Sequence, residues 1–154
     1  MIRYVDILHS VTKSLHSNFP DIQILTNSEE VAENECFYVS ISPNINKTSN
    51  KFMNFRSMSI DIKYFLNEHD NKIKIYEMAE KLDDIFSTFI TVPEKQFFEE
   101  QKQKTRRINI INNNIKFLKD DISDYLHYSI DLEFMDLKNR ELERYELMEN
   151  IDIT

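Results

Sequence analysis

The sequence predicts an α+β domain: a mainly antiparallel sheet packed by an N-terminal helix and a second, central helix. Three observations carry this. Two stretches, Ser57 to Leu66 and Leu126 to Phe134, alternate apolar and polar residues, and two others repeat apolar residues at three- and four-residue steps. The chain has 154 residues, 41% of them hydrophobic and 12% aromatic, which is a size and content that buries one core rather than two. Strict alternation describes strands with one dry and one wet face, the habit of antiparallel sheets.

Ile2, Val5, Leu8, Val11 and Leu15 recur at helical spacing, so a first helix is expected from Ile2 to Ser17 with that stripe buried. Asn18-Phe19-Pro20-Asp21 stops it, because the residue before a proline is pushed out of the helical region and proline itself has no N–H to donate. Ile22 to Leu25 reads as a short strand and Ser28 to Val31 as a loop or single turn. Cys36 to Ile41 has β-branched and aromatic strand content, with Phe37, Val39 and Ile41 on one face and Pro43 ending it. Asn44 to Asn50, rich in Asn, Lys, Ser and Thr, reads as an exposed loop or hairpin tip.

The clearest strand sets Met58, Ile60, Ile62, Tyr64 and Leu66 against Ser57, Ser59, Asp61 and Lys63. Phe52-Met53-Asn54-Phe55-Arg56 breaks that alternation, so Phe52 or Phe55 projects from the wrong face, sits at a bulge or lies on a protruding arm. Asn67 to Asn71 supplies turn and cap chemistry. Ile75, Met78, Ala79, Leu82, Ile85, Phe86 and Phe89 then define a helix from about 71 to 90 across the dry face of the sheet. Pro93 marks its exit, and Gln96-Phe97-Phe98 is a candidate edge strand. Ile108 to Leu118 is a strand with a kink or a tight hairpin, its Asn112-Asn113-Asn114 triplet able to take left-handed backbone angles. After a turn at Asp120 to Asp124, a last long strand points Leu126, Tyr128, Ile130, Leu132 and Phe134 inward. Residues 1–137 thus form the expected domain. Residues 138–154 are an acidic tail carrying Leu142, Tyr145 and Met148 at three-residue steps, which reads either as a frayed terminus or as an arm docked on a neighbouring subunit.

Composition narrows the function. Glycine is absent, which removes the phosphate-cradling loops whose backbone must approach a ligand without a Cβ. One cysteine, Cys36, makes neither an internal disulfide nor a thiolate metal cluster, and its place at the head of a strand argues against a nucleophile. Four scattered histidines, among them His9 and His16 on one helix, lack a third ligand. The adjacent acid pairs Glu29-Glu30, Asp83-Asp84 and Asp120-Asp121 point to different faces of any regular element, so no metal or cofactor site is expected. The N-terminus carries Asp6 where a signal peptide keeps an apolar run, and no stretch approaches the ~20 apolar residues of a membrane helix, so a soluble protein is expected.

Charge is unevenly placed. Of a net −8, all is carried from Asp120 onward, where eleven acids face three bases, while Gln101 to Lys119 holds six bases and no acid. Two solvated faces explain this in a monomer; head-to-tail complementarity between copies is the sharper reading. A sequence pI near 5.0 limits any contact with DNA to a transient one.

The order helix, strands, helix, strands carries particular strings: Asn18-Phe19-Pro20-Asp21-Ile22 followed by Glu29-Glu30-Val31, Met58 to Phe65, Tyr125 to Leu132, and the closing Tyr145-Glu146-Leu147-Met148-Glu149. Together they resemble the tail terminator, or tail completion, proteins of tailed phages, prophages and phage-tail-like bacteriocins, particularly small forms from clostridia and related hosts. The resemblance implies a structural, non-enzymatic virion subunit assembled in the bacterial cytoplasm. Such a subunit closes into a six-membered ring on the head-proximal end of the tail tube, halts tube polymerisation and meets the sheath or head–tail connector, with DNA passing only through the lumen. On that reading the expected contacts to tube or neighbour are Lys47, Lys51, Phe52, Phe55 and Arg56 on one arm, Lys104, Arg106 and Arg107 on a basic segment, and Tyr145 and Met148 on the tail. A head-completion or stopper protein, an acidic inhibitor or anti-restriction module and a small hydrolase are the alternatives.

Overall fold

In the computed structural model, which describes residues 2–26, 35–66, 72–94, 104–119 and 124–137, the chain runs α1 (Tyr4–Asn18), β1 (Gln23–Leu25), β2 (Cys36–Thr48), β3 (Met53–Phe65), α2 (Lys72–Ile85), β4 (Phe89–Glu94), β5 (Lys104–Lys119) and β6 (Asp124–Leu137). The six strands form one curled sheet in the order β1-β2-β3-β6-β5-β4. Only β1 against β2 is parallel among these pairings. The class is α+β, as the alternation and helical spacing predict.

The centre of the sheet is the long antiparallel pair β3·β6, in register at Met58↔Leu132, Ile60↔Ile130, Ile62↔Tyr128 and Tyr64↔Leu126. All eight side chains are buried on the same face and join one cluster with Ile7, Val11 and Leu15 of α1 and Ile75, Met78, Ala79 and Leu82 of α2. Burying apolar surface at about 25 cal/mol per Å² is what holds both helices on this face. Helix α1 packs on β1 and β2 and also on β4, so the curl brings the two edges of the sheet around one helix. The helix starts where the Asp6 carboxylate accepts the Arg3 backbone N–H (3.3 Å) and the Arg3 guanidinium (2.7 and 2.9 Å). It ends at Phe19, whose N–H donates to the Leu15 carbonyl and whose ring packs 5.3 Å from Phe37.

Several boundaries differ from expectation for physical reasons. Val5 is 51% exposed while Ile7 is fully buried, because Ile7, Val11 and Leu15 set the phase of the helix and Ile2 precedes it. Pro43 does not end β2, which continues to Thr48. β1 pairs only with Cys36 to Tyr38, so the missing N–H falls on an open edge, next to a bulge between Pro43 and Ile45. Helix α2 stops at Ile85 rather than near 90, and Phe89 begins β4, with Pro93 again on the edge of the sheet. β5 is one strand with a bulge at Ile111, so the asparagine triplet lies within it. There Asn113 turns inward and donates to Asp83 Oδ1 at 2.6 Å. The strand expected at 96–98, the turns at 28–31, 67–71 and 120–123, and the tail from 138 lie outside the described residues.

Candidate assembly interface

The β2–β3 hairpin is the most exposed regular feature: every residue from Ser42 to Phe52 is open to solvent. Its tip closes without glycine. Asn50 Oδ1 accepts the backbone N–H groups of Phe52 and Met53, both at 2.9 Å, and the Ser49 and Asn50 N–H groups donate to the Met53 carbonyl. An asparagine side chain imitating a backbone turn in this way is why the segment folds back on itself. The Lys51 ammonium lies 5.8 Å from the centroid of the Phe52 ring, which is half exposed, and Lys47 lies 5.6 Å from that of Phe55. Two cation–aromatic pairs therefore stand along the hairpin, one between its strands at Lys47 and Phe55 and one at its tip. The hairpin is anchored rather than free-standing, because its β3 half stays paired to β6 as far as Met53↔Leu137.

Arg56 differs from this group. It is 7% exposed and faces the inner side, where Nη1 donates to Asp136 Oδ2 at 2.9 Å and to the Ile2 carbonyl. Asp136 also accepts the Ile2 N–H at 3.1 Å. The guanidinium lies over Tyr4 at 4.4 Å and over Phe134 at 5.3 Å. Arg56 is therefore a structural residue that ties the start of α1 to the sheet, and its expected role as a surface contact is corrected. A partnerless cation in such a place costs several kcal/mol, which is why Asp136 and the ring faces converge on it. Arg56 Nε and Asn54 Oδ1 remain buried with no hydrogen-bond partner among the described residues.

The basic segment divides in the same way. Arg106 turns inward, donating to the Met135 carbonyl at 2.6 Å with its guanidinium 5.9 Å from the centroid of the Phe134 ring, while Arg107 points outward over Phe89 at 4.6 Å. The backbone of Lys104 pairs with Glu94. Thus the structure brings the base of the hairpin and the 104–107 segment to one end of the sheet, with Arg56 and Arg106 both against Phe134. Tyr145 and Met148 lie outside the described residues.

What the sequence reading missed is the polar end of the core. Asn54, Arg56, Phe134 and Asp136 keep the even-numbered, inward parity of their strands, so the apparent break in alternation was a change of chemistry and not of direction. Parity alone was the available signal.

Elsewhere the polar groups are satisfied structural ones. The Cys36 thiol is buried and pushed up by that burial and then by Glu35, the reverse of an activated nucleophile. Burial, reinforced by Asp83, pushes the Tyr128 hydroxyl up to about 12, and Tyr64, buried and donating to Glu35, is raised further. Among the described residues no three His, Cys, Asp or Glu side chains gather as metal ligands, and no helix is long and apolar enough to cross a membrane.

A small α+β subunit whose distinctive surface is an exposed, cation-flanked hairpin tip on a rigid sheet has the character of an assembly component. The chain belongs to the phage tail terminator protein family, which it matches over residues 6–143, from the first turn of α1 to beyond β6. This makes it a phage tail structural protein, a virion component acting in tail assembly with other tail proteins. No curated protein matches the chain.

Proposed function

We propose that the protein caps the head-proximal end of the tail tube as a ring of six copies and stops further tube polymerisation. The observation that carries this reading is family membership across nearly the whole chain, joined to a hairpin tip exposed on all sides. A ring needs two different complementary patches on each subunit, because each contact is head-to-tail. Lys47, Lys51, Phe52 and Phe55 on the outer face of the hairpin, with Arg107, supply one such surface towards the tube protein or the neighbouring subunit. The acidic tail, with Tyr145 and Met148, supplies another. Sheath protein or the head–tail connector meets the opposite side of the ring, assembly takes place in the bacterial cytoplasm, no cofactor is involved, and DNA crosses the lumen only in passing.

The test is complementation of a phage lacking this protein with a Lys51→Glu/Arg107→Glu double variant, followed by electron microscopy. Tails of irregular, excess length and a fall in infectious particles of at least tenfold are expected. Normal tail length and yield would overturn the proposed contacts.

A further inference from the structure

Helix α1 and the outer edge of β4 enclose a groove of about 620 Å³ that the proposed contacts leave unused. Ser10, Lys13 and Ser14 line it on the helix side, and Phe89, Thr91 and Pro93 on the strand side. The Thr88 carbonyl accepts the Ile110 N–H at 3.0 Å, so the alternate backbone groups that follow, at Ile90 and Val92, also go to β5. Those of Phe89, Thr91 and Pro93 turn the other way, onto the open edge of the sheet, where a proline without an N–H is tolerated. One wall of the groove is therefore main chain: the Phe89 and Thr91 N–H groups and the carbonyls of Phe89, Thr91 and Pro93 have no strand beside them among the described residues. Such an edge is a template for an added strand. A slot between an edge strand and a helix takes an extended segment, which reads the main chain, in preference to a compact ligand.

We infer that the Glu149–Ile153 segment of the same chain lies in this groove as a strand antiparallel to β4. The inference goes beyond the ring reading and does not depend on it, because the contact is made within one polypeptide. Pattern favours the segment. Ile151 and Ile153 alternate with Asp152, so as a strand it turns two β-branched side chains to the apolar floor at Ile85 and Phe86 and its acid to the open side. Charge agrees. From Tyr145 to Thr154 there are Glu146, Glu149 and Asp152 and no base, while His9 and Lys13 line the groove and no acid is among its described lining residues. Reach favours the chain's own segment. Arg106 on the Met135 carbonyl and Thr105 opposite Pro93 place the mouth of the groove two strands from the end of β6, ~10 Å away. Residues 138–148 span ~18 Å at random-coil dimensions. A tether so close to the gap it crosses gives an effective concentration in the mM range, which a separate chain does not match in dilute solution. Entering from that mouth, the segment runs opposite to β4, brings Asp152 beside Thr91, and holds residues 138–148, with Tyr145 and Met148, as a closed strap.

The first test is amide exchange on the full chain. The Phe89 and Thr91 N–H groups should be protected, and Ile151→Asp/Ile153→Asp should speed their exchange at least tenfold while Ile130, in the core, stays as slow as before. Equal rates at Phe89 and Thr91 in the two chains overturn the strand pairing. Which chain supplies the strand is read from Thr91→Cys/Asp152→Cys in a Cys36→Ala background under mild oxidation. A disulfide within one polypeptide, formed at the same rate after tenfold dilution, is the expected result. A link mainly between polypeptides, slowed by dilution and reproduced on mixing the two single-cysteine chains, overturns the chain's own segment as occupant. No link of either kind overturns the docking.

Discussion

The same two strands enclose two kinds of interior. From Met58 to Tyr64, β3 faces Leu126 to Leu132 of β6 with apolar groups alone; from Asn54 to Arg56 it faces Phe134 and Asp136 across an ion pair. The apolar half is held by burial, which has no preferred direction and tolerates sliding of shapes within a given volume. The ionic half is directional. Arg56 and Asp136 each hold the backbone of Ile2, so the position of the N-terminal segment is fixed to the strands that carry the hairpin. A buried ion pair contributes little net stability against apolar groups of the same shape, yet breaking it is expensive. Stability is thus concentrated at one end of the sheet and geometric definition at the other, close to the exposed hairpin.

The largest effect should come from leaving one ion without its partner. Asp136→Ala strands the Arg56 guanidinium and the Ile2 N–H, and is expected to cost about 3–5 kcal/mol in urea unfolding. The paired replacement Arg56→Met/Asp136→Leu should return stability to within about 1–2 kcal/mol of the natural chain while loosening the N-terminal segment, seen as faster amide exchange at Ile2 to Tyr4. A loss under about 1 kcal/mol for Asp136→Ala would remove the contrast between the two halves.

Alkaline pH probes the apolar half next. Tyr128 is held protonated to about pH 12, whereas an unfolded chain releases that proton near 10. The unfolded state therefore binds fewer protons as pH rises, so this contribution is intact below pH 10 and is lost between 10 and 12, with Tyr64 acting in the same direction. Tyr128→Phe should flatten part of that fall in Tm, and an unchanged profile would contradict the burial of the hydroxyl. A smaller effect is expected for Ile60→Val, about 0.5–1.5 kcal/mol, since one methyl group is lost from a filled site.

How far the sequence anticipated this follows from which rule governed each region. Alternation located β3 and β6 and every apolar residue they bury, because a period of two allows one inward set. The same rule, tied to the premise that inward means apolar, misread Phe52 to Arg56 as a break and nominated Arg56 for the surface. Pro43 and Pro93 read from sequence as strand or helix stops because their tolerance depends on lying at an open edge, which is a property of the assembled sheet. The sequence overextends helix α2 because Phe86 and Phe89 continue the apolar spacing, although only Phe86 is buried and Phe89 starts a strand. Of the candidate contacts, Lys51 and Phe52 are legible as tip residues from turn composition, whereas the inward course of Arg106 and the outward course of Arg107 depend on pairing with β4 and β6.

The smallest effect on stability should accompany the largest on assembly. Lys51 and Phe52 lie at an exposed tip whose turn is held by Asn50 and by backbone groups. Phe52→Ala removes a half-exposed ring at the hairpin tip, away from the core cluster, so the change in unfolding free energy should stay within about 0.5 kcal/mol. If the tip is a contact surface, the same substitution removes a half-exposed aromatic of the type that dominates interfaces, and tail capping should fall at least tenfold. The pair of measurements separates the explanations: a variant that folds as well as the natural chain and still caps tails normally would place the assembly surface elsewhere on the molecule, whereas a variant that loses stability in proportion to capping would return the tip to the fold.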